Sequence, residues 1–394
     1  MAVRNGRGHT RLLALPDERG LWRRHRAPRD HGGRDAAGLH RGRFDRDGPR
    51  GLGPDGRDDG GAPDRDPGPG LVRRGAGSRG HRDRALRDPA EGLTGGLTRG
   101  LTRAAVAAVT IGGVRLIDSH CHLQSDRFAD DVETVLEAAR GAGVERILVP
   151  GWNAWSSDAA LALVDRFPWL DAGVGVHPHD AAKVTDAEWA GIVRLAADPR
   201  VAAIGETGLD YDRVFSPIVD QHANLRRNLA LALETGKPAV LHVRSPAGRR
   251  DAQDALLEAL RAAGFGGSAS AAAFGDRPPA LLHSFSGPVD FARAALDLGL
   301  GVSISGLAFR RGEEPTAEVA AIVPADRLLV ETDSPFLTPP GGPRARNAPE
   351  WVRLTASWVA ERRGIDLADA PAMAGFGADL VAAYDRTFVR RTGG

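Results

Sequence analysis

The sequence predicts an α/β fold, a closed (β/α)8 TIM-like barrel over residues 114–394, preceded by a disordered extension over residues 1–113. Three observations carry this. From Val114 onward, eight short apolar, β-branched runs alternate with stretches of helical period. Many of the helical stretches end on Gly, the residue that best tolerates a left-handed C-cap. One barrel occupies roughly 250 residues, so a 394-residue chain holds one with an extension to spare.

In chain order, the strands are predicted at Val114–Cys121, Arg146–Pro150, Asp171–Val176, Val201–Glu206, Ala239–Val243, Ala280–His283, Gly301–Ser305 and Leu328–Glu331. Between them lie amphipathic stretches such as DDVETVLEAARGAG, SSDAALALVDRF, DAEWAGIVRLAAD and VDQHANLRRNLALALETG. Eight strands, each followed by a helix, favour a closed parallel barrel over an open sheet. GFGGSASAAAFGDRPPA, before the sixth strand, reads as a surface insertion, and APEWVRLTASWVAERRG begins the helices that complete the outer ring.

The extension has a different composition. Residues 1–104 carry 23 Arg, no Lys and 14 Asp plus Glu, about +9, which leaves about −8 on the remainder of a chain whose net charge is +1. Dense in Gly, Pro, Arg and Asp and without sustained periodicity, this segment cannot bury enough apolar surface to offset chain ordering. Three readings of it stand: an upstream stretch from a misassigned start, a flexible basic arm that attracts nucleic acid, or a small folded domain. The whole chain has two lysines, Lys183 and Lys237, so arginine abundance reflects composition bias and says little about function.

The single cysteine, Cys121, excludes an intrachain disulfide. No apolar run reaches the ~18 residues of a membrane span, and the N-terminus lacks the apolar core and cleavage pattern of a signal peptide. A cytoplasmic protein without membrane association or an obligate protein partner is expected.

Functional groups of a parallel barrel collect at the C-terminal ends of its strands. Seven of the twelve histidines fall in the barrel region, and six of those, all but His222, sit at or just beyond a predicted strand end. In LIDSHCHL, His120 and His122 are two apart and share a side, with Cys121 facing away. In VAAIGETGLDY, Glu206 ends an apolar run, where an unpaired charge would be costly. PAVLHVR supplies His242 and, on the same side, Arg244. ALLHSFSG supplies His283, and LLVETDSPFL supplies Asp333, with Pro335 stopping the strand. Each residue alone has a structural explanation, such as a packed histidine, a paired Glu or an Asp capping a turn. Together, His120, His122, Glu206, His242, His283 and Asp333 come from five strands and converge on one rim. Four imidazoles and two carboxylates suffice for two divalent ions with open water positions, whether Mg²⁺, Mn²⁺ or Zn²⁺.

The segments DSHCHL, GVHPH, GETGLDY, HVR, HSFSG, ETDSPFL and RNAPEWV, in that order, resemble the TatD family of metal-dependent deoxyribonucleases among the amidohydrolase-like barrels. The resemblance runs from Val114 to the C-terminus. It implies that His120 and His122 form the first-strand metal pair, that Glu206 is the carboxylate shared between metals, that His242 and His283 serve the second metal, and that Asp333 lies near the reactive water. Glu206 and Asp333 are thus the catalytic candidates. The substrate implied is DNA, single-stranded or at 3′ ends, cut by 3′–5′ exonucleolysis. His177, His179 and Arg244 either contact substrate phosphate or support the ligands by hydrogen bonds. Two features depart from the family pattern: Gln124 stands where family members often carry an acid, and the loop before Pro279 is long. The alternative chemistry is an amide, ester or lactone hydrolase, including an aminoacyl-tRNA deacylase. Many such barrels bridge their metals with a modified lysine, and neither lysine here sits at a strand's C-terminal end. A non-catalytic scaffold is the third reading, opposed by a ligand set with no member missing.

Overall fold

The computed structural model describes residues 113–388. The extension predicted over 1–113 lies outside the described residues except for Gly113. Eight parallel strands pair in sequence order: β1 (Leu116–Asp118), β2 (Val144–Pro150), β3 (Leu170–Val174), β4 (Val201–Asp210), β5 (Ala239–Arg244), β6 (Ala280–Leu282), β7 (Gly301–Ile304) and β8 (Leu328–Val330). Beyond its last ladder the sheet closes on itself. The Ser119 N–H donates to Val330 C=O at 3.0 Å, the Asp333 N–H to His120 C=O at 2.9 Å, and the His122 N–H to Ser334 C=O at 2.8 Å. The strands are apolar on both faces, as a helix-covered parallel sheet requires: Leu116, Ile117, Leu148, Ala203, Ile204, Val240, Leu241, Leu281, Val302 and Leu329 are all fully buried.

Helices α1 (Val132–Gly141), α2 (Ala154–Arg166), α3 (Asp186–Ala196), α4 (Ile218–Thr235) and α5 (Asp251–Ala263) follow the first five strands in turn. Local chemistry sets their ends. Asn153 with Ser156 and Thr185 with Glu188 form capping boxes at the starts of α2 and α3. Gly236, at φ 61°, closes α4 in the left-handed region. The stretch expected to be a surface insertion contains a helix, α6 (Ser268–Phe274). It is anchored by Phe274, which is buried and faces the buried Phe265 with ring centroids 6.2 Å apart. Helices α7 (Val289–Asp297), α8 (Thr316–Ile322), α9 (Val352–Arg362) and α10 (Ala370–Phe388) complete the shell. No helix among the described residues is long and apolar enough to cross a membrane.

All eight predicted strands are present, with different ends. The first stops at Asp118 rather than Cys121, because the Asp118 carboxylate accepts the N–H groups of His120 (3.2 Å) and Thr332 (3.0 Å) and turns the backbone inward. Cys121 alone pairs again, as an isolated bridge to Ser334. The fourth strand runs past Glu206 to Asp210 through a register shift between Ile204 and Thr207. Gly208 permits this. It sits at φ 143°, and a Cβ there would lie 1.9 Å from the carbonyl oxygen of His242.

Candidate metal centre

Glu206 is the hub of the site. It is buried on β4, and its two carboxylate oxygens face different sets of imidazoles. Oε2 lies 3.2 Å from His120 Nε2 and 3.6 Å from His122 Nε2. Oε1 lies 2.9 Å from His283 Nε2, 3.2 Å from His177 Nε2 and 3.3 Å from His242 Nδ1. Asp333 closes the first set, with Oδ1 3.4 Å from His122 Nε2 and 3.8 Å from His120 Nε2. It occupies a left-handed turn at φ 52°, a conformation Asp tolerates better than most residues. The six residues predicted from the strand ends therefore meet at one place. His242 lies within β5 and Glu206 within β4, whereas His120, His122, His283 and Asp333 lie just past strand ends.

The electrostatics follow from burial. Sequestration raises the pKa of Glu206, but His177, His283 and His120 outweigh it and hold the carboxyl well below its usual range. His283 stands well above the usual imidazole range: burial lowers it, and Glu206 and Glu331 on its two sides overcome that. Burial lowers His120, and the neighbouring His283 lowers it further, their rings stacked 3.9 Å apart. Burial also brings His177 down to about 4, so that ring is neutral at physiological pH.

Carboxylates behind two of the imidazoles fix their tautomers. Ionised Asp210 can only accept, so the contact from His242 Nε2 at 3.2 Å places a ring proton there and leaves Nδ1, which faces Glu206, as the nitrogen available to a cation. Glu331 orients His283 from behind. It takes the Nδ1–H at 3.2 Å, is itself held by the Ser284 N–H (2.8 Å) and hydroxyl (2.7 Å), and leaves Nε2 facing inward. His177 is oriented the opposite way. Its Nδ1 accepts the backbone N–H of His179 at 3.1 Å, so the neutral ring carries its proton on Nε2, pointing at Glu206. His177 therefore sits as a hydrogen-bond donor to the hub. Of its two sequence readings, this geometry matches support of the ligands. His179 reaches Asp210 Oδ2 at 2.7 Å, and Arg244 is paired with Asp212 at 3.0 Å. Both line the cleft above the cluster, a space of about 670 Å³.

Asp210 and Glu331 were missed by sequence reasoning. Asp210 sits in GETGLDY at the same strand parity as Glu206, and that parity was the available signal. Glu331 was read only as the end of the eighth strand. Arg346, away from the cluster, is paired with Asp131 at 2.6 Å.

The donor set suits divalent cations. Ligand atoms of His120, His122 and Glu206, of His120, His283 and Asp333, and of His177, Glu206 and His242 each lie within 4.8 Å of one another. Mixed imidazole and carboxylate donors match Zn²⁺ or Mn²⁺, and the oxygens also suit Mg²⁺. The tautomer of His177 removes it from the third group, which leaves Glu206 and His242 facing that side.

The chain is 35% identical over 247 residues to an uncharacterized metal-dependent hydrolase, YabD, of Bacillus subtilis, covering 62% of this chain and 90% of that protein. It is 36% identical over 255 residues to the 3′-5′ ssDNA/RNA exonuclease TatD of Klebsiella pneumoniae, covering 63% and 90%. The crystal structure of YjjV, a TatD homolog from Escherichia coli, superposes with a TM-score of 0.60 at 26% identity, over 71% of this chain and 99% of that one. Residues 117–374 match the family described as TatD related DNase. With that match spanning the barrel and its metal-ready cluster, the chain belongs to the TatD related DNase family and is a metal-dependent hydrolase of ester bonds.

Proposed function

We propose that this enzyme removes nucleotides from single-stranded DNA in the 3′ to 5′ direction, using two divalent ions. The observation that carries the reading is the division of labour at Glu206, where one oxygen faces His120 and His122 and the other faces His242 and His283. Residues so divided would hold one ion on each side of a shared carboxylate. Bound there, the ions would supply Lewis-acid polarisation of the phosphoryl group and a more acidic water.

The chain's own groups have definite tasks in this scheme. Asp333 orients the attacking water and takes its proton as the new P–O bond forms and the bond to the departing nucleotide breaks. Glu206 keeps the two ligand sets in register. His177 holds the Glu206 carboxylate by its Nε2–H, and Asp210 and Glu331 hold His242 and His283 with their inner nitrogens towards the site. His179 and Arg244, at the cleft wall, are the candidate contacts to substrate phosphate. The names of the exonuclease relatives support this substrate class.

The test is a single-stranded oligonucleotide labelled at either its 5′ or its 3′ end, incubated with the full chain and Mg²⁺, Mn²⁺ or Zn²⁺. The reading requires a ladder shortening from the 3′ end and its loss in Glu206→Ala. Turnover of only a lactone, ester or acylated tRNA in the same panel would overturn it. The lysine-bridged alternative has little to draw on: the Lys237 ammonium donates to the carbonyls of Ala196 and Asp198, and that of Lys183 to Asp180.

A further inference from the structure

Among the described residues, three Phe, Tyr or Trp side chains are exposed: Phe215 at 67%, Trp155 at 55% and Phe336 at 53%. All three gather at the cleft. Phe215 and Phe336 line it, and Trp155 leans on Trp152, which also lines it, with ring centroids 6.0 Å apart. Exposed aromatic area is costly to leave in water, and its concentration at one mouth marks a binding surface. The rings stand on opposite sides of the ligand cluster. Phe215 contacts His179 edge-on at 4.7 Å, and Phe336 contacts His122 at 6.2 Å.

Both rings are exposed, yet the backbones that carry them are anchored by buried amides. On the Phe215 side, Gln221 accepts the Asp210 N–H at 2.8 Å and donates to the carbonyls of Asp210 (3.0 Å) and Ser216 (2.9 Å). Asp210 Oδ1 also accepts the N–H groups of Asp212 (3.0 Å) and Arg213 (2.7 Å). On the other side, Asn347 donates to the carbonyls of Thr332 (2.9 Å) and Phe336 (2.7 Å). Flat rings on fixed supports are preorganised, so little ordering cost attends their use. Beside Phe215, the exposed Arg213 has no ion-pair partner among the described residues and lines the same cleft. A ring, a cation and a metal-ready cluster side by side match the parts of a nucleotide: a base, a backbone phosphate and the phosphate to be cut.

The geometry points to Phe215 and Phe336 as stacking platforms for unpaired nucleobases on the two sides of the scissile phosphate, an inference that rests on the nuclease reading above. Every base offers a π-face, so such platforms select for unpaired ends without reading sequence. A base held in a duplex could not reach either ring without unpairing.

The experiment compares a ten-residue oligo-dT with the same chain carrying abasic tetrahydrofuran residues at its two 3′-terminal positions, using the full chain in Mn²⁺. The wild type is predicted to favour the base-bearing chain by about 5- to 150-fold in kcat/KM. That ratio should shrink towards one in Phe215→Ala and Phe336→Ala. It should shrink likewise in Phe215→Leu, which keeps apolar area but no flat face, and persist in Phe215→Trp. Exposure of both rings lets the variants fold, which far-UV circular dichroism checks. An unchanged ratio in both Ala variants overturns the stacking assignment and leaves the nuclease reading intact, and loss at one ring alone overturns the other platform. A wild type that turns over neither oligonucleotide overturns the nuclease reading and this inference with it.

Discussion

Replacing Asp210 with Asn keeps the shape of the side chain, removes its charge and turns one acceptor into a donor. Asp210 Oδ1 serves the backbone N–H groups of Asp212 and Arg213, and Oδ2 serves His179 at 2.7 Å and His242 at 3.2 Å. The carboxyl is held far below its usual range: burial opposes ionisation, and the bonds from His179 and His242 outweigh it. In the variant the amide oxygen can keep the two backbone bonds only if its NH₂ faces both imidazoles. His242 must then accept at Nε2, which moves its proton to Nδ1, the atom facing Glu206. The ligating lone pair is lost without any ligand having been mutated. Partners behind a metal ligand are typically worth 10–100-fold in affinity or activity, roughly 1.4–2.7 kcal/mol. Each charged hydrogen bond given up adds about 1.5–3 kcal/mol to the loss of stability. Mn²⁺ titration calorimetry and oligonucleotide turnover on Asp210→Asn should both fall within that 10–100-fold range. Asp212→Asn, two residues on and exposed, should leave Mn²⁺ affinity within about 0.5 kcal/mol of wild type. Affinity and kcat/KM of Asp210→Asn within twofold of wild type would refute the tautomer argument.

Two further predictions concern the scaffold. Gly208→Ala would put a Cβ 1.9 Å from the His242 carbonyl oxygen at φ 143°, forcing β4 from β5. A loss of several kcal/mol, on the order of 3 or more, is expected in urea unfolding, and a variant with wild-type stability would contradict the packing described. The two tyrosines should separate at high pH. Burial pushes Tyr384 well above the usual phenol range, with the charge of Asp171, which accepts its hydroxyl at 2.8 Å, adding to the effect. The folded state therefore keeps a proton that the unfolded chain releases near pH 10. This stabilisation is complete below that pH and lost above it, by up to about 1.4 kcal/mol per pH unit. Wild-type stability should fall between pH 10 and 11 with a slope that Tyr384→Phe reduces; parallel slopes would contradict the assignment.

How much of this was legible beforehand depends on the residue. The candidate ligands at or past strand ends were readable because a parallel barrel displays its strand termini at one mouth, and the alternation of strand and helix located those termini. Asp210 was not, because Gly205 and Gly208 look like strand breakers. The strand in fact continues through them, its register slipping between Ile204 and Thr207 to bring β4 close to β5. The role of His177 was hidden because it depends on a backbone N–H two residues away, a contact set by loop geometry rather than by residue type. Helix α6 was obscured by the glycines around it, and Phe274, its anchor, finds Phe265 only after the chain has turned back on itself. The exposed rings of Phe215 and Phe336 carried no periodic signal at all, since they stand in loops.

Under the proposed function, Glu206 would hold one cation on each of its oxygens. Anomalous diffraction from crystals of the full chain soaked in Mn²⁺ tests this directly. Two peaks are expected about 3.5–4 Å apart, one beside His120 and His122 and the other beside His242 and His283, both touching Glu206. A single peak away from that carboxylate, or none, would contradict it.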